Sequence, residues 1–308
     1  MTNKMWTKAG LLITPDPNIW WMTQHVGPSF LQLQDDGRFD MYVTGRDIQN
    51  VSRIGVIQGE VVDHRLLLGP PPADPLFDVG DPGCFDESGV SYPWLVHCGT
   101  ETLMFYVGWV AGGKTGFQNY TGLAVSTDGC RSFERVGPVP ILDRTKDEPY
   151  GSGSCAVIYE ESQYIMLYTS FYRWKDAQYK TRQFAPSYDI KLAYSDDGRT
   201  WTRNGDVAIA LIGSETIVGK PSILKREDGS YTVYFSARGE NYKIFRADGP
   251  SLRALSRVTE VDLDTSPEGW DSQMVEYSHV VENGRFRFMI YNGNDFGKTG
   301  LGYAWTIV

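Results

Sequence analysis

Five tyrosines, Tyr42, Tyr106, Tyr168, Tyr234 and Tyr291, recur along this chain at intervals of roughly 60 residues. Each ends a short apolar run: FDMYV, LMFYV, IMLYT, TVYFS and FMIYN. Small residues follow at once, in Thr44-Gly45, Gly108, Ser170, Ser236 and Gly293. A period of that length means one supersecondary unit has been copied, and five copies account for all 308 residues.

Each copy has the same internal order. A first run (GPSFLQL, YPWLVH, SCAVIY, PSILKR, YSHVVE) leads to a polar turn (DDGR, CGTE, EESQ, EDGS, ENGR). The tyrosine run follows, then a variable loop, then a third run (RIGVI, TGLAV, IKLAY, KIFRA, TGLGYA). Two copies add a tight turn and an aromatic, in STDGCRSF and SDDGRTW. Apolar and polar residues alternate, aromatics are enriched and Asp-Gly turns separate the runs. That pattern predicts strands and hairpins, with no amphipathic helix.

Short antiparallel sheets repeated at this period predict an all-β, five-bladed β-propeller in a single domain spanning residues 1–308. The blades fall at roughly 16–78, 79–143, 144–212, 213–265 and 266–308, the last completed by 5–14. The last copy has three strands, so the run WTKAGLLI (6–13) is left to supply its fourth. Closing the ring in this way removes open sheet edges. A two-domain β-sandwich, the alternative, does not account for the fivefold tyrosine.

Propeller geometry divides the loops. With strands A to D counted outward from the axis, the segment leading into A and the B–C loop share one end of the ring. The A–B and C–D turns share the other, so the acidic DDGR, EDGS, ENGR, STDG and SDDG turns are expected to be scaffold. The segments leading into A carry His25, Asp86 with Tyr92, Glu148, Glu215 with Lys220, and Asp271 with Glu276. The B–C loops carry Arg46 and Asp47, Trp109, Tyr172 and Arg173, Arg238, and Asn292, Asn294, Asp295 and Lys298. Carboxylates and amides suit hydroxyl groups, aromatic faces suit sugar rings, and two carboxyls across a pocket suit acid–base work on a glycosidic bond. His64 and His97 read as ordinary strand or loop residues. His279, three residues after Glu276, faces the axis or serves the core.

A net charge of −9 with dispersed acidic residues argues against nucleic acid and anionic membranes as partners. No apolar stretch is long enough to span a bilayer. No secretory signal is visible, so a cytoplasmic location is expected, with Cys84, Cys98, Cys130 and Cys155 as buried thiols. The histidines and cysteines show no metal-ligand spacing, so no metal site and no cofactor are expected. The sequence leaves the oligomeric state open.

The chain as a whole resembles the five-bladed propellers of the arabinanase, invertase and mannoside-phosphorylase type. The resemblance is carried by FDESGVSYPWL with FYVGW, GLAVSTDGCRSFERVGPVPIL, IKLAYSDDGRTWTRNG and WDSQMVEYSHVVENGRFRFMIYNGNDFGKTGLGYA. It is similar in particular to glycosidase-like proteins of bacterial polysaccharide or sugar-modification gene sets. The resemblance implies a carbohydrate-active enzyme that cleaves or transfers a glycosyl group. Carboxylates before strand A would act as acid and as base or nucleophile, which points to Glu276 and Asp86. His25, Arg46, Asp47, Tyr92, Trp109, Lys220, Arg238, Asp271, His279, Asn292, Asn294 and Lys298 would bind substrate. The group admits an axial divalent cation, for which no motif appears here.

The chain departs from that pattern in one informative way. An Asp-Pro often precedes strand A in those hydrolases, whereas Gly27-Pro28 and Lys220-Pro221 stand here. A lysine in a carboxylate's place, with Arg46, Arg238 and Lys298 nearby in the same slots, suits an anionic sugar, a sugar phosphate or a nucleotide sugar. Phosphorolysis or transfer, or sugar binding without catalysis, are the alternatives.

Overall fold

The computed structural model of the chain describes residues 6–179 and 182–308, the side chains of 176–183 excepted. Residue 5, the first of the segment expected to complete the last blade, lies outside the described residues.

Among the described residues, twenty strands form five four-stranded antiparallel blades. In chain order, β1 (Thr7–Ile13) is followed by β2 (His25–Leu33), β3 (Arg38–Arg46), β4 (Ser52–Val62) and β5 (Arg65–Leu68), which make the first blade. The second is β6 (Val90–Cys98), β7 (Glu101–Ala111), β8 (Phe117–Ser126) and β9 (Glu134–Arg135). The third is β10 (Ser152–Glu160), β11 (Gln163–Tyr179), β12 (Arg182–Ser195) and β13 (Thr202–Ile209). The fourth is β14 (Ile217–Lys225), β15 (Tyr231–Arg238), β16 (Tyr242–Gly249) and β17 (Ser256–Arg257). The fifth is β18 (Glu276–Asn283), β19 (Phe286–Asn292) and β20 (Leu301–Ile307), closed by β1, which runs antiparallel to β20. A single parallel bridge, Tyr188 to Ile217, ties the third blade to the fourth.

The five phasing tyrosines occupy strand B of every blade and are all buried. Three of them explain the period chemically. Tyr106 donates its hydroxyl to Asp86 (2.9 Å), Tyr168 to Glu148 (2.9 Å) and Tyr291 to Asp271 (2.9 Å), each carboxylate lying 20 residues upstream. Each carboxylate also meets a cation from an outer strand: Arg135 on Asp86, Lys191 and Arg203 on Glu148, and Lys8 on Asp271. This tyrosine–carboxylate–cation clamp ties the segment before strand A to the outer edge of its own blade. In the fourth blade the outer-strand cation persists as Arg257, which pairs with Glu215. In the first blade buried Trp21 and Met22 replace the carboxylate with apolar packing.

The small residues after the tyrosines have a packing cause. A Cβ on Gly45 would lie 2.5 Å from the Trp21 ring, and one on Gly293 would lie 2.3 Å from the Trp270 ring. Only hydrogen at these positions lets the aromatic lie on the sheet. In the third blade Ser170 instead donates to Glu148 (3.1 Å).

The Asp-Gly turns are self-contained. Asp128 accepts from the Ser126 and Ser132 hydroxyls and from backbone N–H groups, and Asp197 accepts from Ser195 and from backbone N–H groups. Those bonds hold both carboxyls at about 2. All four cysteines are free thiols. Only Cys155 is buried, whereas Cys84, Cys98 and Cys130 are partly exposed, which corrects the expectation of four buried thiols.

Candidate functional site

Every inner strand breaks register at the same place. The interruption falls between Val26 and Ser29, Ser91 and Trp94, Ser152 and Cys155, Gly219 and Ser222, and Glu276 and His279. A bulge inserts one extra residue and re-aims its side chain. In four blades that residue has left-handed backbone: Gly27 (φ 101), Tyr92 (φ 56), Lys220 (φ 53) and Tyr277 (φ 58). For the three non-glycine residues this conformation costs about 1–2 kcal/mol each. The strained N–H groups are caught by hydroxyls of the preceding blade. Tyr92 N–H donates to Thr44, Lys220 N–H to Thr169 and Tyr277 N–H to Ser236. A glycine is required at position 27, where a Cβ would lie 2.3 Å from the Asn292 amide.

Above these bulges, at the end predicted from the blade phasing, lies a cavity of about 230 Å³. Tyr92, Lys220 and Tyr277 form its base with Gly153, Ser154 and Gly219. The B–C loops supply Arg46, Trp109, Phe117 and Arg238. The long third-blade hairpin of β11 and β12 adds Phe171, Phe184 and Tyr188. One wall is a chain of rings, with Trp109 and Phe117 5.2 Å apart and Phe171 and Tyr188 4.8 Å apart. Three cationic side chains join the lining, Arg46 from the first blade and Lys220 and Arg238 from the fourth. Among the described residues no carboxylate lines the cavity.

Lys220 is the most unusual group. Its side chain is buried, and among the described residues its Nζ has no hydrogen-bond partner. The Trp94 ring lies 5.8 Å from Nζ. Desolvation pulls the ammonium down to about 8. His279 packs on the same indole with ring centres 5.4 Å apart, and on Phe30 at 4.6 Å. Its Nε2–H donates to the Leu31 carbonyl (3.2 Å), which leaves Nδ1 as the bare lone pair. Burial, and next the Lys220 charge, push this imidazole down to about 3. It is therefore neutral and lies below the cavity base.

The other sequence-selected residues divide into two groups. Arg46, Tyr92, Trp109, Lys220 and Arg238 line the cavity together. Asn292 and Glu276 pair across β18 and β19 directly behind it, both fully buried. Burial raises the phenols of Tyr92 and Tyr277, and the negative charge of Glu276 raises them further.

The second group lies away from the lining. Asp86 and Asp271 are the carboxylates of the clamps, held by Tyr106 with Arg135 and by Tyr291 with Lys8. Asp47 accepts from Arg53 (2.7 Å) and from its own loop's N–H groups. His25 opens β2 opposite Arg46. Asn294 braces the backbone of Gln273 and Met274. Lys298 is exposed. Asp189, raised to about 6 by burial, faces the charges of Lys191 and Glu148 and does not line the cavity.

Tyr277, Tyr188, Tyr242, Phe117 and Phe171 line the cavity and were not singled out from sequence. Tyr277 had a signal, because it occupies the bulge slot of Tyr92 and Lys220. Among the described residues, no three His, Cys, Asp or Glu gather as metal ligands.

A closed ring of five four-stranded blades with an axial cavity defines the chain as a five-bladed β-propeller. It superimposes with a TM-score of 0.74 on a glycosyl hydrolase from Bacteroides ovatus, at 12% identity, covering 98% of this chain and 93% of that one. A structure from work on the GH130 mannoside phosphorylases and hydrolases of β-1,2 mannosidic linkages in Candida mannan gives 0.72 at 14% identity, covering 98% and 93%. The sucrose-6-phosphate hydrolase of Lactobacillus gasseri gives 0.60 at 14% identity, covering 94% of this chain and 60% of that one. At such identities the likeness is one of fold. No protein-family model matches the chain. The chain belongs to the family of the "Uncharacterized protein Rv1502" of Mycobacterium tuberculosis, with which it is 32% identical over 303 residues, 97% of this chain and 98% of that one.

Proposed function

We propose that the chain is a carbohydrate-active enzyme whose axial cavity pairs a sugar with an anion. The anion is either a substituent of the sugar or a free phosphate that replaces water as the attacking group. The observation that carries this reading is the cavity's charge: Arg46, Lys220 and Arg238 line it, and among the described residues no carboxylate does. Hydrolysis of a glycosidic bond ordinarily takes two carboxyl groups flanking that bond. The expected pair, Asp86 and Glu276, does not fit that arrangement, since Asp86 is committed to Tyr106 and Arg135. Displacement by phosphate needs only one acid, because the nucleophile arrives already charged. Glu276 does not line the cavity but lies behind Tyr92 and Tyr277, so it would act as that acid through one of those phenols. The guanidinium forks suit phosphate or carboxylate oxygens, and the aromatic wall suits a sugar face.

Calorimetry with matched ligands tests the reading: glucose against glucose 6-phosphate and glucuronate, each with and without inorganic phosphate. Two charge-assisted hydrogen bonds contribute about 1.5–3 kcal/mol each, so the anionic partner should bind at least tenfold more tightly. Phosphate that tightens neutral-sugar binding would indicate a separate anion; sugar phosphates binding without that effect would indicate a substituent. Equal affinity for neutral and anionic sugars sinks the proposal. A hydrolytic reading rests on Glu276 alone, and Glu276→Gln with unchanged turnover of any accepted glycoside would remove it.

A further inference from the structure

We propose that Lys220 forms an imine with the carbonyl group of a small anionic carbonyl compound, of which the open-chain form of the proposed anionic sugar is the natural case. This inference rests on the anionic-ligand reading for its substrate class but not for its chemistry.

The geometry is that of a reactive amine and not of a structural ammonium. A lysine kept for stability pairs with a carboxylate, as Lys8 does with Asp271 and Lys191 with Glu148. Lys220 has no carboxylate and, among the described residues, no hydrogen-bond partner at Nζ. It is held in strained left-handed backbone, anchored by the Thr169 hydroxyl, at the bulge that re-aims its side chain. It lines the cavity while remaining buried. The titratable groups around it are Cys155, whose thiol burial pushes far up, and His279, held neutral. The surrounding rings keep the amine desolvated, a condition that favours its neutral, nucleophilic form.

The step balances within the site. The Nζ lone pair attacks the carbonyl carbon, a C–N bond forms and the carbonyl oxygen becomes a hydroxyl. That oxygen leaves as water with the two protons the amine gives up, and a C=N bond remains. Arg46 and Arg238, which line the same cavity from the first and fourth blades, hold the anionic end and so place the carbonyl near Nζ. No oxidant or further reactant is needed.

A lysine that titrates near 8 carries about 300-fold more free amine at pH 7 than a solvated one. The intact protein is incubated at pH 7 with glyoxylate, an anionic aldehyde, and sodium cyanoborohydride, then mapped by peptide mass spectrometry. The expected result is a single adduct at Lys220 formed well ahead of any on surface lysines, with the Lys220→Met protein gaining no early adduct. Adducts only on other lysines, or no adduct in excess of those on Lys220→Met, would overturn the inference. A parallel arm uses benzaldehyde. Equal labelling of Lys220 by both aldehydes would keep the imine and count against the anionic-ligand reading. Anion-selective binding by calorimetry without any Lys220 adduct would do the reverse. Labelling is read on the wild-type protein, so the test stands even if Lys220→Met folds poorly.

Discussion

Asp86 is the residue on which sequence and structure pull hardest in different directions, and Asp86→Asn decides between them. Its carboxylate is fully buried and receives Tyr106 Oη at 2.9 Å and Arg135 Nε at 2.7 Å. Asparagine keeps an oxygen for the tyrosine but loses the charge that Arg135 pairs with. Breaking a buried ion pair from one side costs about 3–5 kcal/mol. Arg135 is 26% exposed, still donates to the Asp78 carbonyl and stacks over Phe77, so the cost here falls to about 2–3 kcal/mol. In a domain of this size that lowers the melting temperature by roughly 3–5 °C. Urea titration of Asp86→Asn, Arg135→Met and the double variant should give a coupling energy of about 2 kcal/mol. Affinity for the preferred anionic sugar should stay within twofold of wild type. A variant that melts like wild type but loses binding or turnover would refute the scaffold assignment and return Asp86 to the chemistry.

Other consequences are equally direct. Lys220→Met should be more stable than wild type at pH 7, by roughly 2–3 kcal/mol, because a buried, unpaired ammonium is removed. In wild type the unfolded chain holds more protons than the folded one between about 8 and the ordinary lysine range, so stability climbs with pH there. The variant lacks that climb and binds anions more weakly. His279, neutral in the fold down to about 3, works on the acid side. The unfolded imidazole takes up a proton near 6.5, so wild-type stability falls as pH drops from there toward 3. In His279→Gln, followed by denaturant titration across that range, this part of the slope disappears. Gly45→Ala forces a methyl to 2.5 Å from Trp21 and should cost about 1–3 kcal/mol in the same assay, with no change in ligand affinity.

The ring was legible because its period is written in large residues. The strand-B tyrosines are buried in all five blades, so each copy had to keep one, and the closing strand followed from the missing fourth strand of the last blade. The end of the ring that bears the cavity followed from connectivity alone. The direction of each side chain did not. Asp86, Asp271 and Lys220 all precede or open an inner strand, yet the first two turn outward to a tyrosine while the third turns to the axis. Two signals for this were present in the sequence. One is the constant 20-residue offset between carboxylate and tyrosine in Asp86/Tyr106, Glu148/Tyr168 and Asp271/Tyr291. The other is the shared slot of Tyr92-Pro93 and Lys220-Pro221, the bulge positions in their blades. Phe171, Phe184 and Tyr188 gave no comparable signal. They reach the cavity only because the third-blade hairpin is far longer than its counterparts, and nothing in its composition sets where it leans.

The decisive experiment is a crystal structure with the tightest-binding anionic sugar. The anionic group should lie within hydrogen-bonding distance of at least two of Arg46, Lys220 and Arg238, or be covalently joined to Lys220 through the carbonyl carbon, with the ring against Trp109, Phe117 and Tyr188. A ligand bound outside the axial cavity, or one whose anion points to solvent while its hydroxyls meet Asp86 and Glu276, would contradict it.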